Sequence, residues 1–144
     1  MKKEFVDIYI LDTSAVLSFI EDEAGADLVE KPLRQARTNK VVILVSFITF
    51  MEVYCITLQE REKTKADERL RLMNALPVLR IDSTESVGIL ASHLKANHRL
   101  SVADAWIAAL AKERDAILVH KDPEFEQVEA EINVLKLPYK ISTP

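Results

Sequence analysis

Carboxylates occur at four places in the chain where they could bind a metal ion together. Two follow apolar runs rich in strand-forming residues, one lies inside an apolar stretch, and one begins an alanine-rich stretch. Carboxylate oxygens are hard ligands that suit Mg²⁺ or Mn²⁺. Such an ion lowers the pKa of a bound water and offsets charge on a phosphate, so these acids predict phosphodiester hydrolysis without a cysteine or serine nucleophile. The four residues are Asp12, Glu52, Asp104 and Asp122.

Glu52 is the most informative of these acids because its neighbours in sequence, such as Phe50, Met51 and Val53, are apolar. A carboxylate in apolar surroundings either raises its pKa or acquires a cation, since burial of a bare charge is costly. A metal ion would provide that cation. The alternative is a capping box, because the spacing from Thr49 to Glu52 lets a glutamate bond the backbone N–H at a helix start.

The other three acids also have ordinary structural explanations. Asp104 stands three residues after Ser101 and could belong to a capping box, and Asp12 could serve as a turn or cap residue. Asp122 precedes Pro123, and an Asp-Pro pair often begins a turn. Each acid alone is therefore weak support, whereas their joint placement favours a metal site.

The hydrophobic pattern predicts strands that alternate with helices along the chain. This order predicts a single α/β domain over residues 1–144, with a mainly parallel sheet and helices on both of its faces. The predicted strands are 6–11, 41–45, 78–81, 116–119 and 132–135, the last at an edge. The predicted helices are 15–37 with a break near Gly25, 46–62, one that follows the charged stretch 63–71 and ends before Pro77, 84–97, one capped by Ser101, and a short one within 122–128.

Asp12 and Asp122 stand just after the first and fourth predicted strands, where such folds carry their sites. The carboxyl ends of parallel strands meet at one edge of the sheet, and ligands bind there. A membrane helix over 41–58 is a competing interpretation, because Glu52 is the only charged residue in that stretch. Its valine-rich start, a cap at Ser46 and the cost of a central carboxylate argue against it.

Composition and charge narrow the class of protein. Hydrophobic residues make up 49% and charged residues 29% of the chain, as in a soluble globular protein. The net charge of −4 argues against nucleic-acid binding through a broad basic surface, whereas a metal-bridged phosphate is compatible with it. One cysteine, Cys55, can form neither a disulfide framework nor a cysteine zinc site, and no secretory signal is evident. These features predict a cytoplasmic protein.

The sequence around the four acids resembles the PIN-domain family, and within it the VapC-type toxins most closely. The resemblance covers almost the entire chain and follows the family's order. It rests on Ile-Leu-Asp12-Thr13-Ser14-Ala, Phe-Met-Glu52-Val, Leu-Ser-Val-Ala-Asp104-Ala-Trp-Ile-Ala-Ala and Asp122-Pro-Glu-Phe, the third of these being the most specific.

The resemblance implies a three-layer α/β/α fold with a five-stranded sheet in the order 3-2-1-4-5. It also implies a Mg²⁺- or Mn²⁺-dependent endoribonuclease, the toxin of a type II toxin–antitoxin pair, with an RNA substrate, an antitoxin partner and a homodimeric assembly. The matching acidic positions are Asp12, Glu52, Asp104 and Asp122, and Thr13 or Ser14 matches the hydroxyl residue that helps to hold the metal.

Two departures from the family's last motif keep alternatives open. His120 stands where the family often has threonine, and Glu124 where it has a second aspartate, so either Asp122 or Glu124 could complete the metal site. These departures also allow a catalytically weak or inactive PIN-fold module that binds RNA or protein. A receiver or phosphatase site is less compatible with the chain, because such sites need a second acid close to the first, and none follows Asp12.

Arg99 and Lys121 are the candidate substrate-binding cations. Arg99 precedes the Ser101 cap and Lys121 is adjacent to Asp122, so either could approach a phosphate at the metal site. Ordinary surface solvation is the alternative for both. Trp106 lies on an apolar stripe, which favours a core position over base stacking.

Overall fold

A parallel sheet forms the centre of the computed structural model, which describes residues 6–139. Its strands are β1 (Asp7–Leu11), β2 (Val41–Ser46), β3 (Leu79–Ile81), β4 (Ile117–His120) and β5 (Asn133–Lys136). They pair in the order β3-β2-β1-β4-β5, and every pairing is parallel. The predicted fold class and strand order are confirmed, and β5 lies at an edge as expected.

Helices fill the connections between the strands and cover both faces of the sheet. They are α1 (Thr13–Ile20), α2 (Ala26–Arg37), α3 (Phe47–Glu60), α4 (Lys63–Ala75), α5 (Glu85–Asn97), α6 (Val102–Arg114) and a 3₁₀ helix (Pro123–Val128). Buried residues of α1 to α4 pack on one face, and those of α5, α6 and the 3₁₀ helix pack on the other. The result is a three-layer α/β/α arrangement.

Successive residues of the central strands are buried on opposite faces. Ile10 of β1 packs with the α5–α6 side, whereas its neighbour Leu11 packs with the α1–α4 side. Leu44 and Val45 of β2 divide in the same way. A strand covered on both faces needs apolar side chains at consecutive positions, which explains the unbroken aliphatic run of β2.

The apolar stretch 41–58 divides into a strand and a helix at Ser46. The side chain of Ser46 caps α3 by accepting a hydrogen bond from the backbone N–H of Ile48. In the part of the chain that the structure describes, no helix is long and apolar enough to cross a membrane.

The charged stretch 63–71 is itself helical and does not merely precede a helix. α4 begins at Lys63, which forms an ion pair with Asp67 one turn later, and Lys65 pairs with Glu68 in the same way. Pairs of opposite charge at these spacings support an exposed helix. Few apolar residues mark the first turns of α4, so apolar periodicity alone places the start of this helix too late.

Trp106 packs between helices, as its apolar stripe predicts. Its ring meets Phe47 of α3 edge-on with centroids 5.3 Å apart. On α5, a Cβ added at Gly88 would lie 3.1 Å from Cη2 of Trp106. The small residue therefore lets α5 approach the indole closely.

Candidate metal centre

Asp12 combines a capping role with an unusual degree of burial. It ends β1 and caps α1, accepting a hydrogen bond of 2.7 Å from the backbone N–H of Ala15. The Ser14 hydroxyl lies 2.8 and 2.7 Å from its two carboxylate oxygens. Burial, opposed by these hydrogen bonds and reinforced by the charge of Asp122, raises the pKa of Asp12 to about 7. Ionisation of the Asp12 carboxylate is therefore costly unless a cation lies beside it.

Ser14 also ties the start of α1 to the end of β4. Its Oγ accepts a hydrogen bond of 2.8 Å from the backbone N–H of Lys121. Nearby, the backbone N–H of Asp12 donates to the carbonyl of Val119 at 3.1 Å. Because β1 and β4 are neighbours in the sheet, these bonds bring Asp12 and the segment around Asp122 to the same edge.

Three further carboxylates meet beside this edge. Ligand atoms of Asp104, Asp122 and Glu124 all lie within 4.8 Å of one another, and we call these residues the acidic cluster. Asp104 is only 9% exposed. Burial, hydrogen bonds with Glu124 and Asp122, and the charges of both raise the pKa of Asp104 to about 9. Like charges this close cannot all ionise without a compensating cation.

Asp104 is not part of a complete capping box. Its backbone N–H donates to Ser101 Oγ at 3.1 Å, as the sequence suggests. The reciprocal bond comes from elsewhere, because the backbone N–H of Ser101 donates to Glu124 Oε1 at 2.6 Å. Glu124 thus performs the task that a capping box would give to Asp104, and the Asp104 carboxylate is left to the acidic cluster.

The capping-box explanation of Glu52 is wrong, because Ser46 rather than Thr49 caps α3. Glu52 lies in the interior of that helix and accepts a hydrogen bond of 2.6 Å from the Thr13 hydroxyl. The Glu52 side chain is half-buried and therefore partly in contact with solvent. Its surroundings are more polar than the neighbouring residues in the sequence indicate. Thr13 follows Asp12 directly, and its hydroxyl therefore links Glu52 to the same edge of the sheet.

The sequence-predicted ligands thus differ in how directly they are connected to the acidic cluster. Asp104, Asp122 and Glu124 meet as a cluster, Asp12 is joined to it through the charge of Asp122, and Glu52 reaches the edge through a threonine. Asp122 and Glu124 are both members of the cluster, and Asp122 Oδ1 also accepts the backbone N–H of Glu124 at 2.9 Å. These carboxylate oxygens lie close together with too little positive charge beside them. Such a group of ligands suits a hard divalent ion such as Mg²⁺ or Mn²⁺.

The two candidate substrate-binding cations differ in their surroundings. The Lys121 ammonium donates to the backbone carbonyl of Ala24 at 3.4 Å. Arg99 is exposed, and its backbone is held on both sides by Gln127, which accepts from the Arg99 N–H at 2.8 Å and donates to its carbonyl at 3.2 Å. The 3₁₀ helix therefore positions the loop that precedes Asp104.

His120 has a structural role in the site that its departure from the family's last motif does not reveal. It is fully buried, and its Nδ1 accepts a hydrogen bond of 3.1 Å from the backbone N–H of Asp122. Burial lowers the pKa of His120, and its ring lies 5.1 Å from that of Phe125. The signal available in the sequence was the His-x-Asp spacing at a strand end, which lets a ring nitrogen accept the N–H two residues on.

Comparison with known proteins agrees with this architecture. The family model described as PIN domain matches residues 9–131. A chain of VapBC2 from Rickettsia felis, bound to a DNA fragment from its promoter, aligns with a TM-score of 0.73 and 18% identity, covering 91% of this chain and 99% of that chain. DNA-bound VapBC from Salmonella typhimurium gives 0.70 and 16%, covering 92% and 98%.

A third structural neighbour carries a description of its activity. VapC20 from Mycobacterium tuberculosis, described as a toxin that cleaves the sarcin–ricin loop, aligns with a TM-score of 0.65 and 14% identity over 83% of this chain and 94% of that chain. Comparison with curated proteins gives no match.

A parallel sheet with an acidic cluster beside the carboxyl ends of two adjacent strands, β1 and β4, defines an α/β protein with a candidate metal site at that edge. The PIN domain model matches most of this chain. The chain therefore belongs to the PIN domain family.

Proposed function

We propose that this protein is a metal-dependent endoribonuclease that hydrolyses RNA phosphodiester bonds. The observation that carries the proposal is the meeting of three carboxylates within 4.8 Å beside the buried Asp12. Such a site uses one or two divalent ions in phosphodiester hydrolysis, and no other nucleophile is required. Mg²⁺ or Mn²⁺ is the expected cofactor because all the side-chain ligands are hard oxygens.

The chain's own residues would divide the work of holding the ion and orienting its ligands. Asp12, Asp104 and Asp122 would bind it, with Glu124 and Glu52 as further ligands. A divalent cation bound there would lower the pKa of a water and offset the charge on the scissile phosphate. Hydroxyl groups orient the acids: Ser14 holds Asp12, and Thr13 holds Glu52, and each hydroxyl could contribute a ligand as well.

RNA is the substrate that the family relationship favours. The neighbour from Mycobacterium tuberculosis is described as cleaving the sarcin–ricin loop, an RNA element. In this chain, Lys121 follows His120 at the metal edge, and Arg99 lies in the loop before Asp104, so both cations are within the segments that frame the site. They would contact phosphates on either side of the scissile bond.

A toxin of a toxin–antitoxin pair is the biological role that we propose. Structural neighbours are VapBC complexes, which supports an antitoxin partner. For the homodimer we propose a separate contact surface, an apolar groove of about 750 Å³ that we call the α3 groove. Met51 and Leu58 in this groove are 58% and 43% exposed. Exposure of neighbouring apolar side chains to water is unfavourable, and contact with another chain would remove it. The α3 groove is lined mainly by Phe47, Ile48, Met51, Tyr54, Cys55 and Leu58.

The proposed homodimer and the antitoxin complex can be separated by experiment. Sedimentation of the purified chain should give a dimer, and Met51→Lys should weaken it. We expect an adjacent reading frame to encode a small antitoxin protein, and co-expression with that protein should yield a complex that suppresses RNA cleavage. A monomeric parent would contradict the homodimer, and a neighbouring product that neither binds nor inhibits would contradict the antitoxin role.

Cleavage of RNA in the presence of Mg²⁺ or Mn²⁺ tests the proposed activity. Asp12→Asn and Asp104→Asn should each reduce the cleavage rate by about a hundredfold or more, because each removes a ligand charge. Asp27→Asn, which alters an exposed carboxylate on α2, is the matched control and should cleave like the parent. Equal rates for the parent and both site variants would reject the mechanism.

Mn²⁺ titration by calorimetry distinguishes the nuclease from a PIN-fold module without activity. The parent should release or absorb heat on binding Mn²⁺, and Asp104→Asn should bind it far more weakly. Absence of both binding heat and thermal stabilisation would favour a module that binds RNA or protein, which the departures at His120 and Glu124 keep open.

A further inference from the structure

The segment that connects α5 to α6 is bonded at both of its ends to the part of the chain around the 3₁₀ helix. It comprises His98 to Ser101, and we call it the α5–α6 loop. At one end the Ser101 backbone N–H donates to Glu124 Oε1 at 2.6 Å, and at the other His98 Nε2 lies 2.9 Å from Glu131 Oε2. Arg99 lies between these two contacts, so its position depends on how the middle of the loop is held.

Gln127 of the 3₁₀ helix binds the middle of the α5–α6 loop with both ends of its side-chain amide. Its Oε1 accepts the backbone N–H of Arg99 at 2.8 Å, and its Nε2 donates to the carbonyl of the same residue at 3.2 Å. Nε2 also donates to the carbonyl of Glu124 at 3.0 Å, which orients the amide on its own helix. Phe125 and Val128, which flank Gln127, are fully buried and anchor this helix in the core. The Arg99 backbone is therefore fixed by an anchored element.

The charge of Arg99 is not used within the fold. Its side chain is exposed, and its guanidinium forms no hydrogen bond or ion pair with residues 6–139. Lys121 differs in this respect, because its ammonium donates to the carbonyl of Ala24 at 3.4 Å. Arg99 is two residues before Ser101, whose N–H is bonded to the acidic cluster, so the Arg99 nitrogen is at most about 7 Å from that contact along the chain. A cation this close that does not pair with the cluster is available to a phosphate.

We propose that Gln127 is a positioning residue for RNA binding, which holds Arg99 so that the guanidinium contacts a phosphate next to the scissile one. The inference rests on the proposed ribonuclease function and extends it to a residue that is not a metal ligand. Arginine binds phosphate through charge-assisted hydrogen bonds. A backbone that is already fixed before binding avoids the entropic cost of ordering the loop on the RNA. Gln127 acts through Arg99 and does not itself contact the RNA.

Fluorescence anisotropy of a short labelled single-stranded RNA of mixed sequence tests the proposal. Ca²⁺, which also takes oxygen ligands, replaces Mg²⁺, and electrophoresis checks that the probe stays intact. Gln127→Ala should weaken binding about three- to tenfold, because the loop must then be ordered on binding. The slope of log affinity against log salt concentration should become shallower by up to about 0.7, the contribution of one phosphate contact to a single strand. Parent-like affinity and slope in Gln127→Ala would overturn the proposal.

A double-mutant cycle shows whether Gln127 acts through Arg99. Arg99→Ala alone should weaken RNA binding at least as much as Gln127→Ala, and adding Gln127→Ala to it should change the affinity by less than about twofold. Gln127→Met keeps the length of the side chain without its hydrogen bonds and should behave like Gln127→Ala. Gln35→Ala is the matched control, because Gln35 lies near the end of α2 that leads into β2, away from the carboxyl ends of the strands. Additive effects of Arg99→Ala and Gln127→Ala would reject the positioning role.

Failure of this proposal is distinguishable from failure of the proposed function. Metal-dependent RNA cleavage that disappears in Asp12→Asn, together with parent-like RNA binding by Gln127→Ala, would reject only the positioning role. Conversely, weakened and non-additive RNA binding in Gln127→Ala and Arg99→Ala, without any metal-dependent cleavage by the parent, would reject the nuclease and leave a positioned site for an RNA phosphate.

Discussion

Glu124 shows how a single residue can serve both the fold and a metal centre. One of its carboxylate oxygens accepts the backbone N–H of Ser101, the residue that caps α6, while the side chain also belongs to the acidic cluster. Since Asp104 stands in the first turn of α6, the bond fixes the start of the helix that presents Asp104. The 3₁₀ helix and α6 are therefore connected at the site itself.

Two substitutions at Glu124 separate these roles. Glu124→Gln retains an oxygen that can accept from Ser101 and removes one negative charge, so the metal-free protein should be at least as stable as the parent. Glu124→Ala loses the acceptor and should lower the free energy of unfolding by about 1 kcal/mol. Urea denaturation measures both values. A Glu124→Ala protein as stable as both the parent and Glu124→Gln would show that the contact with Ser101 contributes nothing.

The positions of the acids could be predicted from the sequence, but the groups that hold them could not. A carboxylate at the end of an apolar run is visible in a list of residues, as at Asp12 and Asp122. The hydrogen bond from Thr13 to Glu52 joins residues 39 positions apart, and that from Lys121 to Ser14 spans 107. Such pairings depend on which strands become neighbours, and local sequence does not encode them.

At the scale of elements, patterns of burial were more informative than patterns of charge. The strands and α5 and α6 follow apolar periodicity, and their order is confirmed. α4 begins earlier than apolar periodicity predicts, because ion pairs between its own residues mark its first turns. The predicted capping box at Thr49 is wrong because the sequence offers two hydroxyl residues that could cap α3. Only Ser46 lies where the strand ends, and it is the residue that caps the helix.

The turn between α1 and α2 requires a glycine. Gly25 has a φ of +96° and caps α2, and a Cβ at this position would lie 2.9 Å from Cδ of Pro138 and 3.1 Å from Cβ of Leu137. Gly25→Ala should therefore lower the free energy of unfolding by about 1 to 3 kcal/mol through backbone strain and this clash.

Chemical denaturation with a neighbouring control tests the role of Gly25. Ala24→Ser changes an exposed side chain in the same turn and should alter stability by less than about 0.5 kcal/mol. If Gly25→Ala were as stable as Ala24→Ser, the turn would be free to adopt a conformation that ordinary residues accept, and the contact with Pro138 would have no energetic weight.

The whole molecule carries an excess of negative charge, and part of it is concentrated where it opposes folding. The net charge is −4, and the acids at the metal edge are drawn together despite their mutual repulsion. A protein keeps such an arrangement when function requires it, and it gives up stability in return. The metal-free and metal-bound proteins should therefore differ in how their stability depends on pH.

The direction of that dependence follows from the raised pKa values. In the unfolded chain the pKa of each aspartate is near 3.8, whereas in the folded protein it is about 7 for Asp12 and about 9 for Asp104. The folded state thus binds more protons between these values, and stability falls as pH rises. The stabilising contribution is fully present below about pH 4 and is lost as pH rises through about 7 and then about 9.

Measurements of unfolding free energy between pH 6 and 9 should show this loss in metal-free protein and its reversal by Mg²⁺. Metal-free parent should lose more than about 1 kcal/mol over this interval, and Asp104→Asn should lose less because its amide does not titrate. Saturating Mg²⁺ should stabilise the parent increasingly as pH rises, since the ion binds the ionised carboxylates, and should have little effect on Asp104→Asn. A metal-free parent whose stability is flat or rises over this range would mean that Asp12 and Asp104 are already ionised without a cation, and the electrostatic basis for a metal centre would be lost.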